Sequence, residues 1–355
     1  MPTATTKTPE RLRIGTRGSK LALAQSGQTA RLLEQSGIAT ELVVVKTSGD
    51  RLADVSLAKV GGKGLFIKEL EEALAEGRVD LAIHSMKDVP AEVPPGFVIA
   101  AVSRRADVRD VLVRRAGGSA GSPEASAATT DAPYEAPPTR AATTTPPAGD
   151  ALAALPAIAA LPPGARVGTG SLRRRAQLAA LRPDLNVVPL RGNVDTRLRK
   201  LEGGELDAVV LAAAGLARLG LDVAAEHLAE DAFLPAPGQG ALAIETRADD
   251  ARVRELVHVL HDPASAAACD AERAFLRELG ASCQVPVAAF ARVADDGALT
   301  LTGLVASLDG TTVLRDVARG RAEQASDVGR ALADALVARG ARAIIAAAEE
   351  AAGRL

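Results

Sequence analysis

The chain has 355 residues, 47% of them apolar and 24% charged, which suits a soluble protein of two or three domains, each with its own core. Its formal net charge is only −2, from 42 basic and 44 acidic residues, which argues against general nucleic-acid binding. Aromatic residues make up 2% and tryptophan is absent, so platforms for stacking single strands are scarce as well.

In chain order, LRIG (12–15) predicts a first strand and Lys20 to Glu34 a helix. ELVVVK (41–46) predicts a second strand, LFIKELEEALAEG (65–77) a helix, and LAIHS (81–85) a buried strand with a polar tip. Such alternation is the pattern of parallel-sheet α/β domains. RIGTRGSKLALAQ (13–25) is then echoed by RVGTGSLRRRAQL (166–178), and EGRVDLAI (76–83) by GGELDAVV (203–210). The echoes predict two related α/β domains facing each other, with a ligand between the carboxyl ends of their strands.

Residues 117–150 are rich in Ala, Pro, Thr and Ser, lack the apolar bulk needed to offset ordering, and are expected to be a disordered surface insert. LPAPGQGALAIE (234–245) is expected to mark a crossover between domains. From Pro263 a third, α+β domain is predicted, with a helix over 264–279, strands in 298–307 and 311–318, and a final Ala-rich helix. The expected boundaries are 1–104 with 240–262, 105–239, and 263–355.

No stretch resembles a secretion signal or approaches the roughly 20 apolar residues of a membrane helix. Two cysteines, Cys269 and Cys283, make no disulfide framework, so a reducing cytoplasm is expected.

A local arginine cluster in a nearly neutral chain implies a specific anion. Arg173 and Arg174 lie in the first turn of a helix after GTGS, where free backbone N–H groups already favour negative charge. Arg191, Asn193 and Arg197 follow at another strand-to-helix turn, Arg17 and Ser19 occupy the matching turn of the first repeat, and Arg218 follows the strand AVVLAAAG. Singly, most helical arginines are solvated face residues. Recurring at strand ends that line one cleft, these form a carboxylate or phosphate site.

HSMKDVP (84–90) places Ser85, Lys87 and Asp88 just past a buried strand. An acid among arginines stays ionised, able to stabilise a cation or move a proton. An isolated Lys-Asp pair is more often an ordinary turn, and His84 reads as a satisfied strand-end histidine. Cys283, in LGASCQVP, is a loop thiol open to bond formation, whereas Cys269 reads as a small helix-packing residue. LAKVGGKGLF (57–66) has the glycines of a mobile lid but not the spacing of a nucleotide-binding phosphate loop. No metal site is expected.

GTRGSKLALAQ, KVGGKGLFIKELE, HSMKDVP, GTGSLRRRAQL, RGNVDTRLRKLEGGELDAVVLAAAGLARLGL, PAPGQGALAIE and CQVP, in that order from about residue 12 to 290, closely resemble the hydroxymethylbilane synthase (porphobilinogen deaminase) family. The resemblance implies two periplasmic-binding-protein-like doubly wound α/β domains flanking a cleft, plus a C-terminal α+β domain carrying the cofactor cysteine. It also implies a transferase of porphyrin and heme biosynthesis that joins four porphobilinogen molecules head to tail, releasing ammonia, to give 1-hydroxymethylbilane. Chain growth would be primed on a dipyrromethane cofactor held by a thioether to Cys283. Each pyrrole carries an acetate and a propionate, which explains the arginines.

Position by position, the resemblance implies Asp88 as the catalytic aspartate and Ser85, Lys87, Ser171, Arg173, Arg174, Asn193 and Arg218 as cofactor contacts. Arg17, Ser19, Arg191, Arg197 and Phe66 would bind substrate. A monomeric cytoplasmic enzyme is expected, with no nucleic-acid or membrane partner. Two departures stand out: Gly170 replaces a hydroxyl-bearing residue, and Ser282 replaces the usual glycine before the cysteine. The main alternative is a two-domain anion- or solute-binding protein, which would need no loop thiol. An anion-sensing regulator would need a DNA-binding segment, and none is recognisable.

Overall fold

A computed structural model describes residues 11–46, 67–115, 148–281 and 285–353. Phe66, Cys283, the loop 57–66 and most of the expected insert lie outside the described residues. The insert's last three residues are corrected. They open the helix Ala148–Ala153, since GDALAAL resumes the apolar spacing that the preceding stretch lacks.

Three sheets organise the chain. The first contains β1 (Leu12–Thr16), β2 (Thr40–Val44), β3 (Leu81–Ser85), β4 (Phe97–Val102) and, from far along the chain, β10 (Leu242–Arg247), in the order β2-β1-β3-β10-β4. The second contains β5 (Asp110–Arg114), β6 (Arg166–Thr169), β7 (Asn186–Pro189), β8 (Ala208–Ala212) and β9 (Ala225–His227), in the order β7-β6-β8-β5-β9. Each sheet therefore has a parallel trio whose middle strand begins the repeat, and one guest strand supplied by the crossover. Both guests run antiparallel to their neighbours, β10 against β3 and β4, β5 against β8 and β9. The sheets are mixed rather than wholly parallel, because each takes in one strand from a crossover that runs against the parallel trio.

The echoed segments occupy equivalent places. Arg13 at the start of β1 grips Asp80 before β3 through its backbone N–H and its guanidinium, at 2.7–3.1 Å. Arg166 grips Asp207 before β8 in the same way, at 2.8–3.3 Å. Each repeat then turns into a helix capped by serine. Ser19 Oγ accepts from the Ala22 N–H at the head of α1 (Lys20–Gln35), and Ser171 Oγ accepts from the Arg174 N–H at the head of the helix Leu172–Leu181.

The third unit is an antiparallel sheet of β11 (Val287–Val293), β12 (Ala298–Ala306) and β13 (Val313–Arg321), covered by the helices Pro263–Glu278, Ala325–Val337 and Ala341–Gly353. Phe275, Leu301, Val305 and Leu336 are fully enclosed in its core. β11 was missed in the sequence because its small residues, VAAFARV, look unlike a β-branched strand.

One carboxylate joins all three units. Glu272, on the helix Pro263–Glu278, accepts from Arg105 at 2.7 and 3.1 Å, from the Gly238 N–H at 2.6 Å and from the Ala291 N–H at 2.8 Å. Arg105 and Gly238 belong to the outgoing and returning crossovers, and Ala291 to β11.

Candidate active site

β3 ends at Ser85, and Met86–Asp88 form a single 3-10 turn at its carboxyl end. Ser85 Oγ accepts from Gln25 Nε2 of α1 at 2.9 Å, while Met86 is buried and Asp88 exposed. The returning crossover presses on this turn. Gly238 has φ +73°, and a Cβ there would lie 2.6 Å from Met86 Cγ and 3.0 Å from the Lys87 nitrogen. Only glycine supplies both the left-handed backbone and the clearance. Behind the turn, His84 Nε2 and Glu245 Oε2 lie 2.9 Å apart in the core, a satisfied histidine as expected.

The second sheet brings the arginines. Arg173 and Arg174 are 4% and 5% exposed, not open at a helix end, and both bind the fully buried Asp110. Asp110 was missed by sequence reasoning. An aspartate opening an apolar run was the available signal, and nothing in its spacing pointed 63 residues onward to Arg173. Burial alone would raise the Asp110 carboxyl, but the two guanidinium groups overcome this and hold it well below the usual carboxylate range.

The two lobes meet electrostatically at Lys87 and Asp88. Burial pushes the Lys87 ammonium down to about 8, with Arg174 and Arg173 adding to the effect and Asp88 and Asp110 opposing it. Arg197, partly buried, is pushed down to about 10, first by burial and then by Arg174, again with Asp88 opposing. Arg197 Nε also donates to the Gly192 carbonyl at 2.8 Å, which folds its side chain back over the turn that carries Arg191 and Asn193. Those two are exposed, and Asn193 makes no side-chain cap on the helix it heads, Val194–Glu202.

On the facing lobe, Arg17 and Ser19 are partly buried beside α1. Lys20 reaches Asp195 across the gap at 3.3 Å, so the turn carrying Arg17 faces the turn carrying Arg191. Arg218 ends the helix Ala213–Arg218, adjacent to α1, and donates to the Gly240 carbonyl at 2.6 Å. Of the described site residues, Lys87, Arg174 and Arg197 come within electrostatic reach of one another from both sheets, beside the Asp88 turn. Phe66 and Cys283 cannot be placed with them, lying outside the described residues. Cys269 is buried and free, its thiol pushed up to about 12 by burial, which suits packing and not bond formation.

The donor set is guanidinium, ammonium and hydroxyl groups. Arg173 Nε is buried with no hydrogen-bond partner among the described residues. This chemistry fits an acidic organic ligand. No group of three or more His, Cys, Asp or Glu able to hold a metal occurs among the described residues, and none of their helices is long and apolar enough to cross a membrane.

Comparison with known proteins agrees with this chemistry. The family model "Porphobilinogen deaminase, dipyromethane cofactor binding domain" matches residues 12–255, and "Porphobilinogen deaminase, C-terminal domain" matches residues 266–338. The chain is 48% identical over 339 residues to porphobilinogen deaminase of Syntrophotalea carbinolica, covering 95% of each chain. It is 47% identical over 337 residues to that of Syntrophobacter fumaroxidans, covering 94% of this chain and 96% of the relative. Among solved structures, the methionine binding protein MetQ matches with TM-score 0.39 at 12% identity, over 71% of this chain and 91% of that one. A periplasmic substrate-binding protein from Coxiella burnetii matches with TM-score 0.37 at 16% identity, over 72% and 94%.

Proposed function

Since this chain belongs to the porphobilinogen deaminase family, we propose that the Asp88 turn and the surrounding arginines perform that family's condensation. The protein is a transferase of tetrapyrrole biosynthesis that links porphobilinogen units head to tail, with loss of ammonia, to give 1-hydroxymethylbilane.

The observation that carries the residue assignment is the meeting of Lys87, Arg174 and Arg197 around Asp88 from two different sheets. Every pyrrole brings two carboxylates, and each one buried without a partner costs several kcal/mol. Arg17, Ser19, Arg191 and Arg197 take those of the incoming porphobilinogen, with Phe66 against its ring. Arg173, Arg174, Arg218, Lys87, Ser85, Ser171 and Asn193 take those of the cofactor. Ser19 and Ser171 accept from their own helices, so their hydroxyl protons remain to donate to a carboxylate.

The dipyrromethane, when bound, supplies a nucleophilic pyrrole carbon, and Cys283 would hold it by a thioether. Asp88 works beside it as a fixed anion. It stabilises the cation left on porphobilinogen as ammonia departs, and it moves the proton released when the new carbon–carbon bond forms. Asp88 stands exposed at the tip of its turn, so it can meet the cation in the first task and exchange a proton in the second.

In the same reading, residues 1–104 with 240–262 form domain 1, residues 105–239 domain 2 and residues 263–355 domain 3. The working form is a cytoplasmic monomer. Intact mass spectrometry tests the assignment. The active chain should weigh more than its sequence by two linked pyrroles, and Cys283→Ser should weigh what its sequence predicts. An unmodified mass in active protein overturns the assignment, and an unmodified mass without turnover would favour a solute-binding protein.

A further inference from the structure

We propose that Asp110 is a positioning residue for the condensation, holding Arg173 and Arg174 in one fixed pose toward the acidic pyrrole chain. This rests on the functional reading above. Asp110 is fully buried at the first position of β5. Its Oδ2 accepts from Arg173 Nη1 at 2.8 Å, and its Oδ1 accepts from Arg174 Nε at 3.2 Å and Nη2 at 2.8 Å. Each guanidinium has a second anchor on a backbone carbonyl, Arg173 on Leu234 at 2.5 Å and Arg174 on Val210 at 3.0 Å. Two anchors on a planar group fix its rotation as well as its position.

The pairing also sets the charge. Two adjacent guanidinium groups repel each other, and without an anion between them they would splay apart. One carboxylate between two cations keeps them together and leaves one net positive charge for the ligand. That suits a site that must hold a polyanion and later release it.

A further contact ties the clamp to the hinge. Gln239, 1% exposed in the returning crossover, donates through Nε2 to Asp110 Oδ1 at 2.9 Å and to the Val108 carbonyl at 2.7 Å. Its own carbonyl accepts from Arg105 Nε at 2.8 Å. The pose of the arginines is thereby referred to both segments that join the lobes.

The test compares Asp110→Asn and Gln239→Met with the parent enzyme. It reads three things: the fraction of chains carrying the two-pyrrole increment, kcat and KM for porphobilinogen per loaded chain, and the intact masses of elongation intermediates. Folded, loaded Asp110→Asn should lose about a hundredfold in kcat/KM, mostly in kcat. It should also accumulate partly elongated chains that the parent clears. Gln239→Met removes one hydrogen bond to a charged group and should shift the same readouts by about tenfold. A merely structural role would lower thermal stability while leaving kcat/KM per loaded chain and the intermediate masses as in the parent, and that result overturns the proposal. Should Asp110→Asn fail to fold, Gln239→Met decides on the same readouts. A parent chain with neither increment nor turnover overturns the functional reading and this proposal together, whereas an active parent with unaffected variants overturns this proposal alone.

Discussion

Arg105 and Glu272 meet as an enclosed two-point ion pair, at 2.7 and 3.1 Å, between the outgoing crossover and the C-terminal domain. The Arg105 guanidinium lies 5.3 Å from the centre of the Phe290 ring, and Glu272 is wholly out of solvent. A pair this buried adds modest net stability while intact, but removing one member strands the other charge in a medium of low polarity. Glu272→Gln should therefore lower the unfolding free energy by about 3 kcal/mol in urea titrations. A loss below about 0.5 kcal/mol, the range of a surface change, would contradict it.

Lys87 carries a pH signature. Its ammonium sits near 8 in the fold and at 10.5 ordinarily, so the folded state binds the proton more weakly than the unfolded chain. Unfolding then takes up a proton between those two values, and stability contributed by this group rises with pH through that window. Below about pH 8 both states are charged and the full penalty applies. In the cofactor-free Cys283→Ser background, Lys87→Met should raise stability at pH 7 and flatten the profile between about 8 and 10.5. Urea midpoints across that range check it; a parallel profile in the two proteins would refute it.

Gly170, where the resemblance expects a hydroxyl-bearing residue, sits in a turn that leaves a side chain little room. A Cβ at this position would lie 2.6 Å from the Leu190 carbonyl oxygen, a backbone atom that cannot swing aside. Restoring the side chain with Gly170→Ser should cost about 1–3 kcal/mol and should not improve turnover. Denaturation and steady-state rates measure both, and a variant that is more stable or faster than the parent would show that the turn has room.

Asp88 stands exposed at the tip of its turn, and its side chain makes no hydrogen bond among the described residues. Asp88→Ala should keep the circular dichroism spectrum and the thermal midpoint of the parent, and lose about 10²- to 10⁴-fold in kcat. Turnover within a few-fold of the parent would remove Asp88 from the chemistry.

Much of this architecture was legible in local sequence. The Arg13–Asp80 and Arg166–Asp207 pairs sit inside the very stretches whose echo suggested two related lobes, and both serine caps lie where a Gly-Thr turn enters a helix. The role expected of Asp88 came from the resemblance alone, since a Lys-Asp pair after a strand is more often an ordinary turn. The rest depended on long-range pairing. Asp110 finds Arg174 across 64 residues and Gln239 across 129, and Arg105 finds Glu272 across 167. No period or propensity encodes such partners. Strand direction was invisible for the same reason, since ALAIE satisfies either orientation until its neighbours are known.

The antiparallel guest strands carry a consequence for how the molecule is made. β3 and β4 are held side by side only by β10, which begins at Leu242, whereas every strand of the other sheet has left the ribosome by His227. The lobe synthesised second can therefore finish folding first, and the lobe synthesised first must wait, with an open slot at its centre, for a strand translated long after it. An N-terminal fragment ending before that strand would be an unfinished sheet rather than a smaller domain.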